Sequence, residues 1–198
     1  LELEKNILKR SRLFFEGGFF LPLSGAEEQI LYRRTQVKGG VNTVAGGARL
    51  SLGGQAFFYD GDTRLPGNTG EIFGEIKLDA VLQPKLFLAQ DFIKNDGRLF
   101  VFGVSEKILL KEAEDEITVQ EIASITPGVD LLYSYSRDDD YYQGDGLVAY
   151  KFFATTEYLL NERSKTILDV NYYLSDDKGC ETGFAVILSF SYLLDLLN

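Results

Sequence analysis

From Ser11 onward apolar residues recur at every second position, the pattern of strands whose two faces meet different surroundings. Between Glu71 and Leu82 one side holds Ile72, Gly74, Ile76, Leu78, Ala80 and Leu82. The other holds Glu71, Phe73, Glu75, Lys77, Asp79 and Val81. Leu147–Leu160 repeats this, with Val148, Tyr150, Phe152, Ala154, Tyr158 and Leu160 opposed to Lys151, Thr155 and Glu157. In Thr166–Leu174, Leu168, Val170, Tyr172 and Leu174 oppose Asp169 and Asn171. Alternation over a dozen residues spans about 40 Å at roughly 3.3 Å per residue, whereas strands of soluble proteins usually stop after about five or six residues.

Turn chemistry divides the pattern. Gly39-Gly40, Gln83-Pro84-Lys85, Asn95-Asp96-Gly97, Pro127-Gly128 and residues 161–165 read as short turns, while 60–70, 137–146 and 175–183 read as longer polar loops. The expected strands are 12–22, 29–38, 41–59, 70–82, 85–93, 98–106, 128–136, 147–159, 166–174 and 183–193, ten in all. Dividing the third span at Gly53-Gly54 and turning at 111–116 between strands 98–110 and 117–125 together raise the count to twelve. An even total puts both termini on one side, with the three long loops opposite. Residues 1–11, with Leu1, Leu3, Ile7 and Leu8 among charges, form a lead-in or short helix before a single β domain over 12–198. The apolar stretch 184–194 is far short of the roughly 20 residues of a spanning helix.

Composition removes several chemistries. The 198 residues include no His, Met or Trp, one Cys and 26 Phe or Tyr, with 20 Lys+Arg against 30 Asp+Glu for a formal charge of −10. Without imidazole there is no His-based triad or His-containing zinc site. The acidic balance, with no basic stripe, sets nucleic acid aside as a partner. No glycine fingerprint for a dinucleotide or phosphate follows a strand, and no cofactor is expected. Ser105 with Lys107 has the residue types of a dyad but no motif around it. Glu71, Glu75, Asp79 and Glu157 could be paired as glycosidase carboxylates, but two or four residues along one face places them about 7 to 14 Å apart, with nothing to bury one as the acid. The chain therefore does not read as an enzyme.

Asp138, Asp139, Asp140 and Asp145, with Asp60, Asp62, Asp176, Asp177 and Glu181, put hard oxygen ligands in loops but lack an EF-hand spacing. They are weak metal candidates against the simpler reading of a solvated acidic rim. Cys180 lies in one of these loops as a free thiol with no assigned role. Basic residues Arg33, Arg34, Lys38 and Arg49 cluster in the second and third spans.

The period-two segments, unequal loops, acidic charge and abundance of Tyr and Phe over Arg12–Leu193 make the chain resemble bacterial outer-membrane β-barrel proteins as a class. It departs from them in having no Trp and in ending Leu-Leu-Asn. The resemblance implies an antiparallel up-and-down β-barrel of about ten or twelve strands that spans the membrane, with aromatic belts from Phe57, Phe58, Tyr59, Tyr133, Tyr135, Tyr141, Tyr142, Tyr172 and Tyr173. Arg34, Lys38, Arg49, Glu71, Glu75, Lys77, Asp79, Asp91, Asp130, Lys151, Glu157 and Asp169 would then line the lumen as a ladder of opposite charges, plugging it if fully paired and leaving a narrow channel if not.

The function expected is a narrow passive pore for small polar solutes, or a structural surface protein, in the outer membrane of a bacterium or an organelle envelope, with membrane lipid as partner. Two alternatives remain open at this point. One is a secreted or periplasmic lipocalin-like barrel whose apolar faces point inward around a lipid or other apolar ligand. The other is an interaction subunit or adhesin whose acidic loops bind a protein partner.

Overall fold

The computed structural model describes residues 11–23, 34–59, 68–93, 97–114, 119–135, 146–175 and 182–195. Among them the strands are β1 Arg12–Pro22, β2 Arg34–Ala45, β3 Ala48–Tyr59, β4 Thr69–Leu78, β5 Lys85–Asp91, β6 Arg98–Ser105, β7 Ile108–Glu114, β8 Val119–Tyr135, β9 Gly146–Asn161, β10 Ser164–Ser175 and β11 Gly183–Asp195. All pairings are antiparallel; β1 pairs with β11 and β6 with β8, so the sheet closes on itself. Closure removes the edges that an open sheet would leave.

The barrel has ten staves because β6 and β7 act as one. Ser105 faces Gly128 and Ile108 faces Ile125, so the register against β8 continues without a shift. Between them Glu106 N–H donates to Pro127 O at 3.1 Å, but Pro127 has no N–H to return, and the ladder is interrupted there. The Pro127-Gly128 pair, expected as a turn, instead lies inside the 17-residue β8. A strand count of twelve fails for the same reason. β7 and the first part of β8 extend past the end of the barrel where β1 starts and β11 ends, and among the described residues β7 pairs on one edge.

Other boundaries also differ from the sequence expectation. Gly39-Gly40 lies within β2, and the turn falls at Gly46 and Gly47, whose φ of 58° and 76° give the left-handed pair that a two-residue hairpin requires. The third expected span is therefore split at Ala45–Ala48 rather than at Gly53-Gly54. β4 ends at Leu78, and Asp79 sits exposed in the following turn, where Leu82 and Gln83 also adopt positive φ.

The glycines inside β2 and β3 make a hollow. A Cβ on Gly53 would lie 2.2 Å from Gly39 O, 2.9 Å from Gly40 Cα and 2.9 Å from Phe73 Cζ. Only hydrogens fit there, and the Phe73 ring fills the space the missing side chains leave. Phe73 is 2% exposed and stacks on Phe87 at 5.7 Å, with Phe14 at 6.3 Å. A second apolar cluster on the inner wall joins Phe20, Val148, Ala149, Tyr173 and Ala185. Val148 was expected on the outer face with Tyr150. The register shift between Leu132 and Tyr133, which leaves Val148 as the extra residue, turns it inward.

The remaining apolar positions face out. Leu52 is 71% exposed, Phe19 60% and Ile72 57%, and every stave contributes similar residues, among them Val37, Leu88, Phe102, Leu131, Phe152, Leu168 and Leu188. The inward-facing calyx considered from sequence is thus contradicted: the large apolar face lies outside the barrel. Near the end opposite the termini, Phe152, Tyr172 and Phe184 form an external aromatic chain with centroid spacings of 6.4 and 4.6 Å. Two residues expected in such belts point inward instead: Phe57 and Tyr173 are both buried on the lumen side. Tyr141 and Tyr142 lie outside the described residues.

Because the Gly53 hollow is bounded by backbone, Gly53→Ala should lower stability by about 1–3 kcal/mol. Gly54→Ala, whose Cβ would meet only Glu71 O at 3.6 Å, should be much milder. Urea unfolding of the two variants in detergent checks the difference.

Candidate functional site

The inward residues enclose two cavities, of about 340 Å³ and 600 Å³. The first lies toward the loop end, the second toward the end bearing the termini. Glu16, Lys38 and Glu75 line both, so the two adjoin along β1, β2 and β4.

Around the upper cavity the charges alternate in sign from one charged stave to the next. In barrel order they are Glu16 on β1, Arg34 and Lys38 on β2, Glu71 and Glu75 on β4, Lys85 on β5, Asp130 on β8, Lys151 on β9 and Asp169 on β10. Cross-strand neighbours of opposite sign attract, and the inward side chains of alternate residues stack into this belt without crossing the sheet. The alternation fails once. β11 contributes Ala185, Ile187, Ser189, Ser191 and Leu193 to the interior by its register, so Asp169 and Glu16 are successive carboxylates around the belt.

The tightest part of the belt is a triad. Lys85 Nζ lies 2.9 Å from Asp130 Oδ1, and Lys151 Nζ lies 2.9 Å from Oδ2. The Asp130 side chain is 1% exposed, while the lysines are about a fifth exposed. Gly103, directly across from Asp130, makes the room: a Cβ there would lie 2.0 Å from Asp130 Oδ1. Both ammonium groups also rest on the Phe153 ring, at 5.4 and 4.8 Å from its centroid.

Aromatic faces hold the other two bases of the upper cavity. Lys38 Nζ is 4.4 Å from the Phe73 centroid, with Phe87 at 5.6 Å and Phe14 at 5.9 Å. The Arg34 guanidinium sits 4.5 Å from Phe20 and 4.7 Å from Phe57. Ring quadrupoles attract these cations without neutralising them, contributing about 0.5–2 kcal/mol each depending on solvation. Carboxylates are held by neutral donors: Gln36 Nε2 donates to Gln55 Oε1 at 3.0 Å, and Gln55 Nε2 to Glu71 Oε2 at 2.5 Å. Thr155 donates to Asp169 and Thr69 to Asp91.

Of the residues expected to line a lumen, Arg34, Lys38, Glu71, Glu75, Asp130, Lys151 and Asp169 are on the upper cavity wall, and Arg49 and Glu157 on the lower. Asp91 is fully buried in the wall at the loop end, bonded to Thr69 and accepting from Ile93 N–H at 2.8 Å. Lys77 is half-buried on the inward side of β4. Asp79 is corrected: it belongs to the exposed β4–β5 turn. Arg33, Asp138, Asp139, Asp140, Asp145, the other acidic loop residues named above and Cys180 lie outside the described residues, as does the expected lead-in 1–10.

Sequence reasoning passed over Glu16, Lys85 and Lys165. Glu16 sits among phenylalanines and glycines, yet it shares parity with Phe14 and with the inward face. Lys85 opens β5 opposite Lys77, and Lys165 pairs with Glu157, which Lys107 also approaches at 3.9 Å. The aromatic lining was invisible for a physical reason: Phe occurs on both faces of these strands, and hydropathy alone does not assign its side.

No protein-family model matches the chain, and no curated protein matches it significantly. Among solved structures it is similar to the NanC porin, at 10% identity over 92% of this chain and 100% of that one, with a TM-score of 0.45. It is also similar to an outer-membrane channel from Pseudomonas putida F1, at 9% identity over 93% and 96% with a TM-score of 0.45. A third likeness is to the β domain of the Bordetella autotransporter Brka, at 10% identity over 92% and 98% with a TM-score of 0.38. At these values the functional reading rests on the chain's own surfaces.

Asp130→Asn should leave two inward lysines without their shared acid and cost about 3–5 kcal/mol. Lys85→Gln, which leaves the Lys151–Asp130 pair, should cost clearly less. A double-mutant cycle by urea unfolding in detergent measures the coupling; equal effects of the two single changes would rule out the triad.

Proposed function

We propose that the chain is an outer-membrane β-barrel whose lumen is a narrow passive conduit for small polar solutes. One observation carries this reading: apolar side chains cover the outside of every stave while the charged residues are gathered inside. In water that distribution is unfavourable, since an apolar side chain of this size gains about 1.5–3 kcal/mol when removed from solvent. Lipid removes the penalty. A closed barrel is also one of the two backbone arrangements that satisfy their own hydrogen bonds inside a hydrocarbon layer. The external tyrosines and phenylalanines toward the loop end, Tyr133, Tyr135, Tyr150, Phe152 and Phe184, suit a lipid–water boundary.

The conduit reading rests on the two adjoining cavities. Each has room for on the order of ten waters or more at about 30 Å³ per water. Acids held by side-chain amides and hydroxyls, and bases held on rings, keep the charged belt against the wall instead of across the opening.

Purified protein should be folded and monodisperse in detergent, show heat-modifiable mobility, and give discrete small conductance steps in planar bilayers. A folded, monodisperse protein in detergent-free buffer would contradict the membrane reading, and a flat current trace from inserted protein would contradict the conduit.

A further inference from the structure

Resting on the conduit reading, we infer that the lumen passes cations in preference to anions and selects them at the seam between β10 and β1. There Asp169 and Glu16 face the upper cavity with Ile187 and the serines of β11 between them, and the one base in register with Glu16 across Ser191, Lys165 of β10, is held by Glu157. Elsewhere around the belt each carboxylate-bearing strand is followed by one that bears a base.

The excess is small in number but placed where it counts. The upper cavity wall carries five carboxylates and four bases. Two of those bases, Lys85 and Lys151, share Asp130. Glu16 and Glu75 lie with Lys38 where the two cavities adjoin, two carboxylates against one base. In a narrow, weakly polarisable enclosure, one unmatched charge acts on a passing ion far more strongly than the same charge on an open surface.

At the lower end Arg12 is paired with Asp195 at 2.9 Å and Lys165 with Glu157, which leaves exposed Arg49 and the half-buried Lys77 opposite it as additional bases, so the acidic excess is confined to the upper cavity and its junction with the lower one.

The experiment is a reversal-potential measurement on the full chain in planar bilayers under a KCl gradient. Wild-type protein should give a potassium-to-chloride permeability ratio above unity. The double variant Glu16→Gln with Asp169→Asn should bring the ratio toward or below unity at similar conductance, and Lys38→Gln should move it the other way. Because Lys38→Gln shifts selectivity in the opposite sense, it tests the inference even if the double variant does not fold. A chloride-preferring or unselective wild type overturns the inference, as does a double variant that conducts with an unchanged ratio. Absence of any current overturns the conduit reading instead, and the inference falls with it.

Discussion

Backbone closure is the constraint on which everything else in this molecule depends. Eleven register pairs join β1 to β11, from Arg12 opposite Asp195 to Pro22 opposite Ala185, and β6 meets β8 to complete the ring. Once the ring is shut, each strand has only an inside and an outside, and the alternating pattern of the sequence becomes a radial separation of chemistry. A slip of one residue in any pairing would exchange the faces of that strand. The register is therefore protected by what it separates: Leu52 and Ile72 would enter a charged lumen, and Glu71 and Lys151 would leave it.

The interior is neither an apolar core nor an open aqueous tube. Phenylalanines inside it serve two purposes. Phe73 fills the hollow left by Gly40 and Gly53, tightening the wall where two strands bring glycine against glycine. The same ring, with Phe14 and Phe87, receives the Lys38 ammonium, and Phe153 does likewise for Lys85 and Lys151. Packing and electrostatics are thus coupled: the rings that stiffen the wall also hold the bases flat against it, which keeps the cavities from being filled by their own side chains.

Much of this was legible in the sequence. The period of two over Glu71–Leu78 and Leu147–Leu160 gives strands directly, and the placement of Glu75, Lys151 and Asp169 on the polar side is a matter of parity. Three things were not legible. Gly-Gly pairs signal turns equally well at 39–40 and 46–47, and only the cross-strand partner Phe73 distinguishes a hollow from a turn. Pro127 breaks a ladder without turning the chain, because β8 continues past it against β9 with Ala154 directly opposite. Which face pointed outward was undecidable from alternation, since a calyx and a membrane barrel share the same period; the exposure of the apolar faces decides it.

The central claim is this sidedness in a lipid bilayer. Single cysteines at Leu52 and Leu168, and at their chain neighbours Ser51 and Ile167, can be introduced in a Cys180→Ser background and labelled with an environment-sensitive fluorophore. In vesicles, labels at Leu52 and Leu168 should be quenched by brominated lipid and resist aqueous iodide, with the opposite response at Ser51 and Ile167. Quenching of Ser51 and Ile167 by lipid, or of Leu52 and Leu168 by iodide, would contradict the account.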